Sequence, residues 1–238
     1  MNHDPQITPR VAMISGASRG IGAAIARRLR AEGWQLSLGV RRPEEIDLAL
    51  TGEHVLVHPY DATTDAFDQA WVEATIKRFG RLDALINNAG IMIPKTVIEA
   101  EDADIDEIFD INVKAPLRLA RAAWPHLKDT GAGRVISVVS LSGHRVKSPQ
   151  SGLYSMSKFA ALALSHALRK EGWEDGVRAT ALCPGLVATD MGEAVGNIPP
   201  SQMTQPEDLA RLVSMALDMP NTASLAELNV NASLDDYY

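Results

Sequence analysis

An α/β fold of the doubly wound kind, with a parallel sheet covered by helices on both faces, is what this 238-residue sequence predicts. Three observations carry the prediction. Apolar runs of strand length alternate with helix-patterned stretches along the chain. The runs are nearly continuous in apolar residues, as strands buried on both faces require. The first run also passes straight into a glycine-rich turn and then a helical pattern. In order, residues 10–15 (RVAMIS) are the first strand and 21–32 the helix after it. Residues 34–40 (WQLSLGV), 54–58 (HVLVH) and 83–87 (DALIN) supply the next three strands. Residues 134–139 (RVISVV) and 177–182 (VRATAL) supply two more, with long helical patterns before and between them. No internal repeat, low-complexity tract or linker interrupts this order. Residues 191–206 (MGEAVGNIPPSQMTQP) read as a loop, so one domain over 1–238 is expected.

Composition narrows the function classes. Apolar residues at 46% and charged residues at 22% are globular values, which exclude extensive disorder. The 23 Lys and Arg against 30 Asp and Glu give a net charge of −7, the wrong sign for a nucleic-acid partner. Cys183 is the single cysteine, which excludes an intrachain disulfide and fits the reducing cytoplasm. The polar start MNHDPQITPR is not patterned as a signal peptide, and no apolar run reaches membrane-span length, so no membrane partner is expected.

The turn after the first strand reads Ser15-Gly16-Ala17-Ser18-Arg19-Gly20-Ile21-Gly22. Gly16 permits a tight bend, Gly20 lets backbone N–H groups approach a pyrophosphate, and Gly22 lets the helix pack on the sheet. The helix N-terminus adds unpaired donors and the positive end of its dipole. The glycines are spaced GxxxGxG, and no Lys-Ser/Thr follows as a P-loop needs.

Further along stand Asn87-Asn88-Ala89-Gly90, Asn112, Ser140 ahead of Leu141-Ser142-Gly143, Tyr154-Ser155-Met156-Ser157-Lys158, and Pro184-Gly185-Leu186-Val187-Ala188-Thr189. Together with SGASRGIG, this ordered set resembles the TGxxxGIG, NNAG, helix-four Asn, Ser, YxxxK and PGxVxT signatures of the short-chain dehydrogenase/reductase family. The resemblance covers nearly the whole chain. It implies a Rossmann-type fold, a nicotinamide cofactor and hydride transfer between a carbonyl and an alcohol. The cofactor-binding set it implies is Gly16, Ser18, Arg19, Gly20, Ile21, Gly22, Arg41, Asp61, Asn88, Ala89, Gly90, Tyr154, Lys158, Pro184, Gly185, Val187 and Thr189. Within it Asp61 would meet the adenine amino group, and Val187 and Thr189 the carboxamide. Asp61 also suits a plain turn after a strand.

The catalytic set is Asn112, Ser140, Tyr154 and Lys158. Tyr154 and Lys158 are four residues apart and share one helix face. A phenol titrates near pH 10, and a neighbouring ammonium lowers that value towards neutrality. Tyr154 is therefore expected to be the general acid in reduction and the base in oxidation, with Lys158 depressing its pKa. The resemblance adds a hydrogen bond from Lys158 to the nicotinamide ribose. Ser140 would steady the substrate oxygen. Pro116 has no N–H to give the carbonyl of residue 112 in a helix, which frees that carbonyl for the water relay the resemblance implies at Asn112. The alternative is that Pro116 only bends the helix.

NADP(H) is expected over NAD(H). The end of strand two reads Gly39-Val40-Arg41-Arg42, with no carboxylate to hold a ribose diol before Glu44. Family members with bases at the positions of Arg19 and Arg41 prefer the 2′-phosphate, which a guanidinium fork suits. The competing reading makes RRPEE a self-compensating charge run.

Two departures from the family pattern stand out. Ser140 and Tyr154 are 14 apart, one more than in many members, which makes Ser142 the weaker substitute. The chain closes on NVNASLDDYY where many relatives carry a glycine-rich segment. The apolar run Phe159-Ala160-Ala161-Leu162-Ala163-Leu164 continues the Tyr154 helix, and its outer side is expected to meet another subunit in a homodimer or homotetramer. His144, Arg145 and Lys147 either rim the pocket for an anionic substrate or form solvated loop surface. Cys183 reads as a buried structural thiol. His54, His58 and His126 lack metal-ligand spacing, so no metal is expected. The substrate is a small carbonyl or alcohol compound, with reduction of a ketone or 3-oxoacyl group the leading reading. Oxidation of a secondary alcohol, sugar or polyol is the enzymatic alternative, and a non-catalytic NADP(H) sensor the other. The close Tyr–Lys spacing disfavours an enoyl reductase.

Overall fold

The computed structural model describes residues 9–196 and 198–234. Among these residues seven strands form one parallel sheet: β1 Val11–Ser15, β2 Gln35–Val40, β3 Val55–Pro59, β4 Ala84–Asn87, β5 Arg134–Val138, β6 Arg178–Pro184 and β7 Glu227–Val230. Their order across the sheet is β3-β2-β1-β4-β5-β6-β7. The chain starts in the middle, builds outwards to β3, then returns to β4 on the other side of β1. That reversal opens a crevice beyond the carboxyl ends of β1 and β4, where doubly wound sheets bind ligands.

Among the described residues the strands are accompanied by seven helices: α1 Gly20–Ala31, α2 Ala66–Phe79, α3 Asp102–Phe109, α4 Ala115–Asp129, α5 Gly152–Glu171, α6 Asp190–Val195 and α7 Pro206–Asp218. Alternate strand residues serve opposite faces, as the pleat dictates. Ala12 and Ile14 of β1 pack with Ile25 and Leu29 of α1 and Leu209 and Val213 of α7. Val11 and Met13 pack with Trp71 of α2, Leu119 of α4 and Leu168 of α5. The doubly wound Rossmann fold is therefore the one expected, and the six anticipated strands fall within a residue or two of their places.

Two expectations change. The sequence reading stops at six strands, whereas β7 adds a seventh at the sheet edge against β6. Its four residues, ELNV, are only partly buried and carry no apolar run to announce it. Residues 191–206 are not loop throughout. Thr189 caps α6 by accepting the Gly192 N–H through its side-chain oxygen, and Asp190 and Glu193 complement the helix dipole in the first turn. A short 3₁₀ turn, Pro200–Gln202, follows.

Candidate active site

The glycine turn leaves β1 with Gly16 at φ 66° and enters α1 with Gly20 at φ 54°, both in the left-handed region that favours glycine. Arg19 precedes the helix without a side-chain cap, and no acidic residue lies in its first turn. Those N–H groups and the dipole end are thus left for an anion. Gly22 packs differently from expectation: a Cβ there would strike the Gly16 carbonyl and the Asn88 amide, so it closes on the turn and not on the sheet. The turn is tied to the end of β4. Asn88 Nδ2 donates to the carbonyls of Ser15 at 2.9 Å and Gly16 at 3.0 Å. Ser15 Oγ accepts from the backbone N–H groups of Asn88 and Ala89 at 3.0 and 3.1 Å. Ser15, which the sequence reading assigned no role, is the knot between the two motifs.

Between α3 and α4 the helix passes through a π turn, Asp110–Lys114, in place of the simple helix expected around Pro116. Such turns recur at functional sites because they re-aim the side chains they carry. Asn112 sits in this one, buried. Its Oδ1 accepts from Ile91 N at 2.9 Å, and its Nδ2 donates to Ile91 O at 2.9 Å and to Ser157 Oγ at 3.0 Å. Ser157 in turn donates to the Tyr154 carbonyl at 2.7 Å. Asn112 therefore joins the backbone beyond Gly90 to the helix of Tyr154 and Lys158. Ser157 is a second residue the sequence reading passed over.

Ser140, Tyr154 and Lys158 converge on one cleft of about 970 Å³, which Arg19, Gly20, Asn88, Gly90 and the segment 184–195 also line. Ser140 Oγ accepts from Ser142 N at 3.0 Å and donates to Pro184 O at 3.3 Å. The loop to Tyr154 winds through two 3₁₀ turns, Leu141–Gly143 and Pro149–Ser151, which accommodate its length. Lys158 Nζ donates to Val138 O at 3.0 Å and lies 5.6 Å from the centre of the Tyr154 ring.

The electrostatics correct one expectation. Burial pushes the Tyr154 phenol up to about 12, and a hydrogen bond with Ser140 is what works against it. Burial decides the direction, even with Lys158 Nζ 5.6 Å from the ring centre. Burial brings the ammonium itself down to about 8, and Nζ is turned to the Val138 carbonyl.

The remaining predicted positions divide. Arg41 is exposed beyond β2, and its charge helps hold the Asp61 carboxyl below the usual range. The larger cause is local, since Asp61 accepts from the N–H and hydroxyl of Thr63 at 2.9 and 2.8 Å. Asp61 is therefore a turn former through its Oδ1, the plain role its place after a strand suits. Arg42 pairs with Glu45 at 2.7 Å, the self-compensation considered for RRPEE, while Arg41 does not share in it. Arg19 pairs with Asp190 across the cleft at 2.8 Å, both exposed. Ser18 is exposed and Ile21 lines the cleft. Gly185 N donates to Val230 O at 2.8 Å. Val187 is buried beside Thr204, and Thr189 spends its hydroxyl on capping α6. Of the polar trio after Ser140, Arg145 and Lys147 line the cleft, whereas His144 faces Glu227.

A nicotinamide dinucleotide fits these residues. The uncapped start of α1 meets the demands of a pyrophosphate. A Cβ on Gly90 would stand 3.2 Å from Asn112 Oδ1 and 3.6 Å from Lys158 Nζ, so bare backbone keeps the cleft floor open beside the lysine.

Known proteins share this arrangement. The short chain dehydrogenase family model matches residues 10–198. An agropine synthesis reductase of Rhizobium rhizogenes is 42% identical over 218 residues, covering 90% of this chain and 50% of that protein. The chain thus spans about half the length of that relative. An alcohol dehydrogenase from Thermococcus sibiricus, solved with 5-hydroxy-NADP, superposes with a TM-score of 0.86 at 30% identity, over 96% of this chain and 99% of the other. A short chain dehydrogenase from Burkholderia cenocepacia, solved with NADP, gives 0.85 at 28% identity over 94% and 97%. With the family model spanning the glycine turn, the Asn88 segment, Ser140, Tyr154 and Lys158, the chain belongs to the short-chain dehydrogenase/reductase family of oxidoreductases.

Proposed function

We propose that this chain is an NADP(H)-dependent carbonyl reductase, converting a ketone or 3-oxo group to a secondary alcohol, with residues 1–238 acting as one cofactor-binding and catalytic domain. The observation carrying this reading is the convergence of Ser140, Tyr154 and Lys158 on the cleft that opens beside the uncapped start of α1. Bound nicotinamide supplies the hydride in reduction and takes it up in the reverse direction. Ser140 Oγ turns its single O–H from Pro184 O to the substrate oxygen and donates there as charge builds. Tyr154 delivers the proton to that oxygen from its phenol. Its burial keeps the proton in place at neutral pH, so the acid form is the resident one. Protonated Lys158 lends positive charge to the site and replenishes the proton by the route through Asn112 that the family resemblance implies.

Arg41 supports NADP over NAD: it is exposed past β2, free of the Arg42–Glu45 pair, with no carboxylate beside it in sequence to receive a ribose diol. Arg19 would have to leave Asp190 to join it. Met156 and Phe159 on the outer side of α5 remain 46% and 45% exposed, which supports assembly as a homodimer or homotetramer through that face. The single buried cysteine suits a cytoplasmic setting. Among the described residues no helix is long and apolar enough to cross a membrane.

The test is NADPH and NADH oxidation against ketones, aldehydes, diketones and acetoacetyl thioesters, with secondary alcohols and polyols run in reverse. NADPH-dependent turnover of a carbonyl supports the proposal. Turnover only with alcohols and NADP would replace it by the oxidative reading. Tight NADPH binding without any turnover would favour a sensor.

A further inference from the structure

Cys183 is fully buried one residue before Pro184, the residue whose carbonyl holds Ser140. An imidazole nitrogen of His144, Cys183 Sγ and a carboxylate oxygen of Glu227 lie within 4.8 Å of one another. The three come from separate parts of the fold: the end of the 3₁₀ turn after Ser140, the end of β6 and the start of β7. His144 Nε2 stands 3.2 Å from Glu227 Oε2. The other carboxylate oxygen is 2.7 Å from His166 Nε2 of α5.

We propose that His144, Cys183 and Glu227 form a binding site for a divalent cation of the zinc class, with His166 orienting the Glu227 carboxylate. One thiolate, one imidazole and one carboxylate form a mixed donor set that a borderline-soft ion accepts and that hard ions such as magnesium do not. Ligand atoms around a tetrahedral zinc sit roughly 3.5 Å apart, from bond lengths of about 2.0–2.3 Å. The trio needs only a small closure to reach that spacing. His144 and Glu227 side chains keep 17% and 25% exposure, which leaves them room to rotate and opens a path for the ion. A carboxylate ligand whose second oxygen is held by another side chain is the usual outer support of a metal site. Binding forms the Sγ–metal bond as the Cys183 thiol loses its proton to solvent, while His144 ligates as neutral imidazole; one proton is released per ion. Three protein ligands leave a fourth position for water. The ion would clamp both segments that hold Ser140, the turn after it and the strand end before Pro184. That consequence rests on the proposed function, whereas the site itself does not.

The experiment is a titration of the chelator-treated 238-residue chain with cobalt(II), followed by absorption, then displacement by zinc(II). The expected result is one cobalt per chain, with visible bands of a tetrahedral ion and a near-ultraviolet thiolate charge-transfer band. Cys183→Ser should abolish that near-ultraviolet band, and His144→Gln should weaken binding by about 10-fold or more. Glu227→Gln provides a third variant should either of these fail to fold by circular dichroism. Absence of saturable one-to-one cobalt absorption in the unsubstituted protein would overturn the site. So would an unchanged spectrum in the folded variants. Neither readout depends on turnover, so failure here is separable from failure of the reductase reading.

Discussion

Both ends of the sheet bury cations, and the two ends treat them in opposite ways. At the amino ends of the strands Arg134 opens β5, where its guanidinium donates to the carbonyls of Ala132, Gly133 and Met219 and to Asn221 Oδ1. Beside it Arg178 donates to the carbonyls of Trp173, Val177 and Asn221 and stacks 4.1 Å over the Trp173 ring. At the carboxyl ends Lys158 has one carbonyl, Val138 O, and its ammonium is brought down to about 8. Burial lowers Arg134 too, yet a guanidinium starts so high that it stays charged. The difference teaches what each end is for. A cation saturated with acceptors fixes chain segments in place, whereas one with a single acceptor and a pKa near neutrality can exchange a proton.

Substitutions can break this contrast. Ser140→Ala removes a donor at the reacting oxygen and should lower kcat by roughly 10²–10³-fold with little change in melting temperature. Steady-state kinetics with calorimetry checks both halves. Arg41→Ala should cost about 1.5–3 kcal/mol of NADPH affinity and spare NADH, as expected for lost hydrogen bonds to a charged group. Equal losses for the two cofactors in a fluorescence titration would remove the phosphate contact from the account. Arg134→Met should act in the reverse sense, destabilising by about 1–3 kcal/mol through unpaired carbonyls while kcat holds. Urea unfolding beside kinetics measures this.

The smallest effect is a pH dependence. The folded-state value of Lys158, about 8, lies below its ordinary 10.5, so between those values the unfolded chain binds more protons and this lysine's contribution to stability rises with pH. Tyr154 has the opposite sign, since its value is raised from 10.0 to about 12 and its contribution falls over that range. Between pH 8 and 10 the lysine therefore acts alone of the two. The stability gap between the unsubstituted protein and Lys158→Met should move in favour of the former over that window. In the same range kcat/KM for reduction should decline as Lys158 loses its proton.

The fold was legible because its signals are local. Apolar runs, the glycine turn and the four-residue spacing of Tyr154 and Lys158 are each contained in a few consecutive residues. β7 was not legible, because four partly buried residues at a sheet edge need no apolar run. Ser15 and Ser157 escaped because their partners lie 73 and 45 residues away, a distance no motif spans. The balance between Tyr154 and Lys158 is not legible in the sequence for a related reason. Spacing puts the two on one face, but burial and the position of Val138 O decide which pKa moves. At Asp61 the turn role is visible only in the structure, where Oδ1 accepts from the N–H and hydroxyl of Thr63.

The central claim is that the Tyr154 phenol is the proton donor in a nicotinamide-dependent reduction. The direct measurement is turnover of the best carbonyl substrate by Tyr154→Phe at saturating NADPH, with NADPH affinity followed separately by fluorescence. The account predicts a fall in kcat of about 10²–10⁴-fold with cofactor affinity retained, the usual worth of a general acid. Turnover equal to that of the unsubstituted enzyme would contradict it.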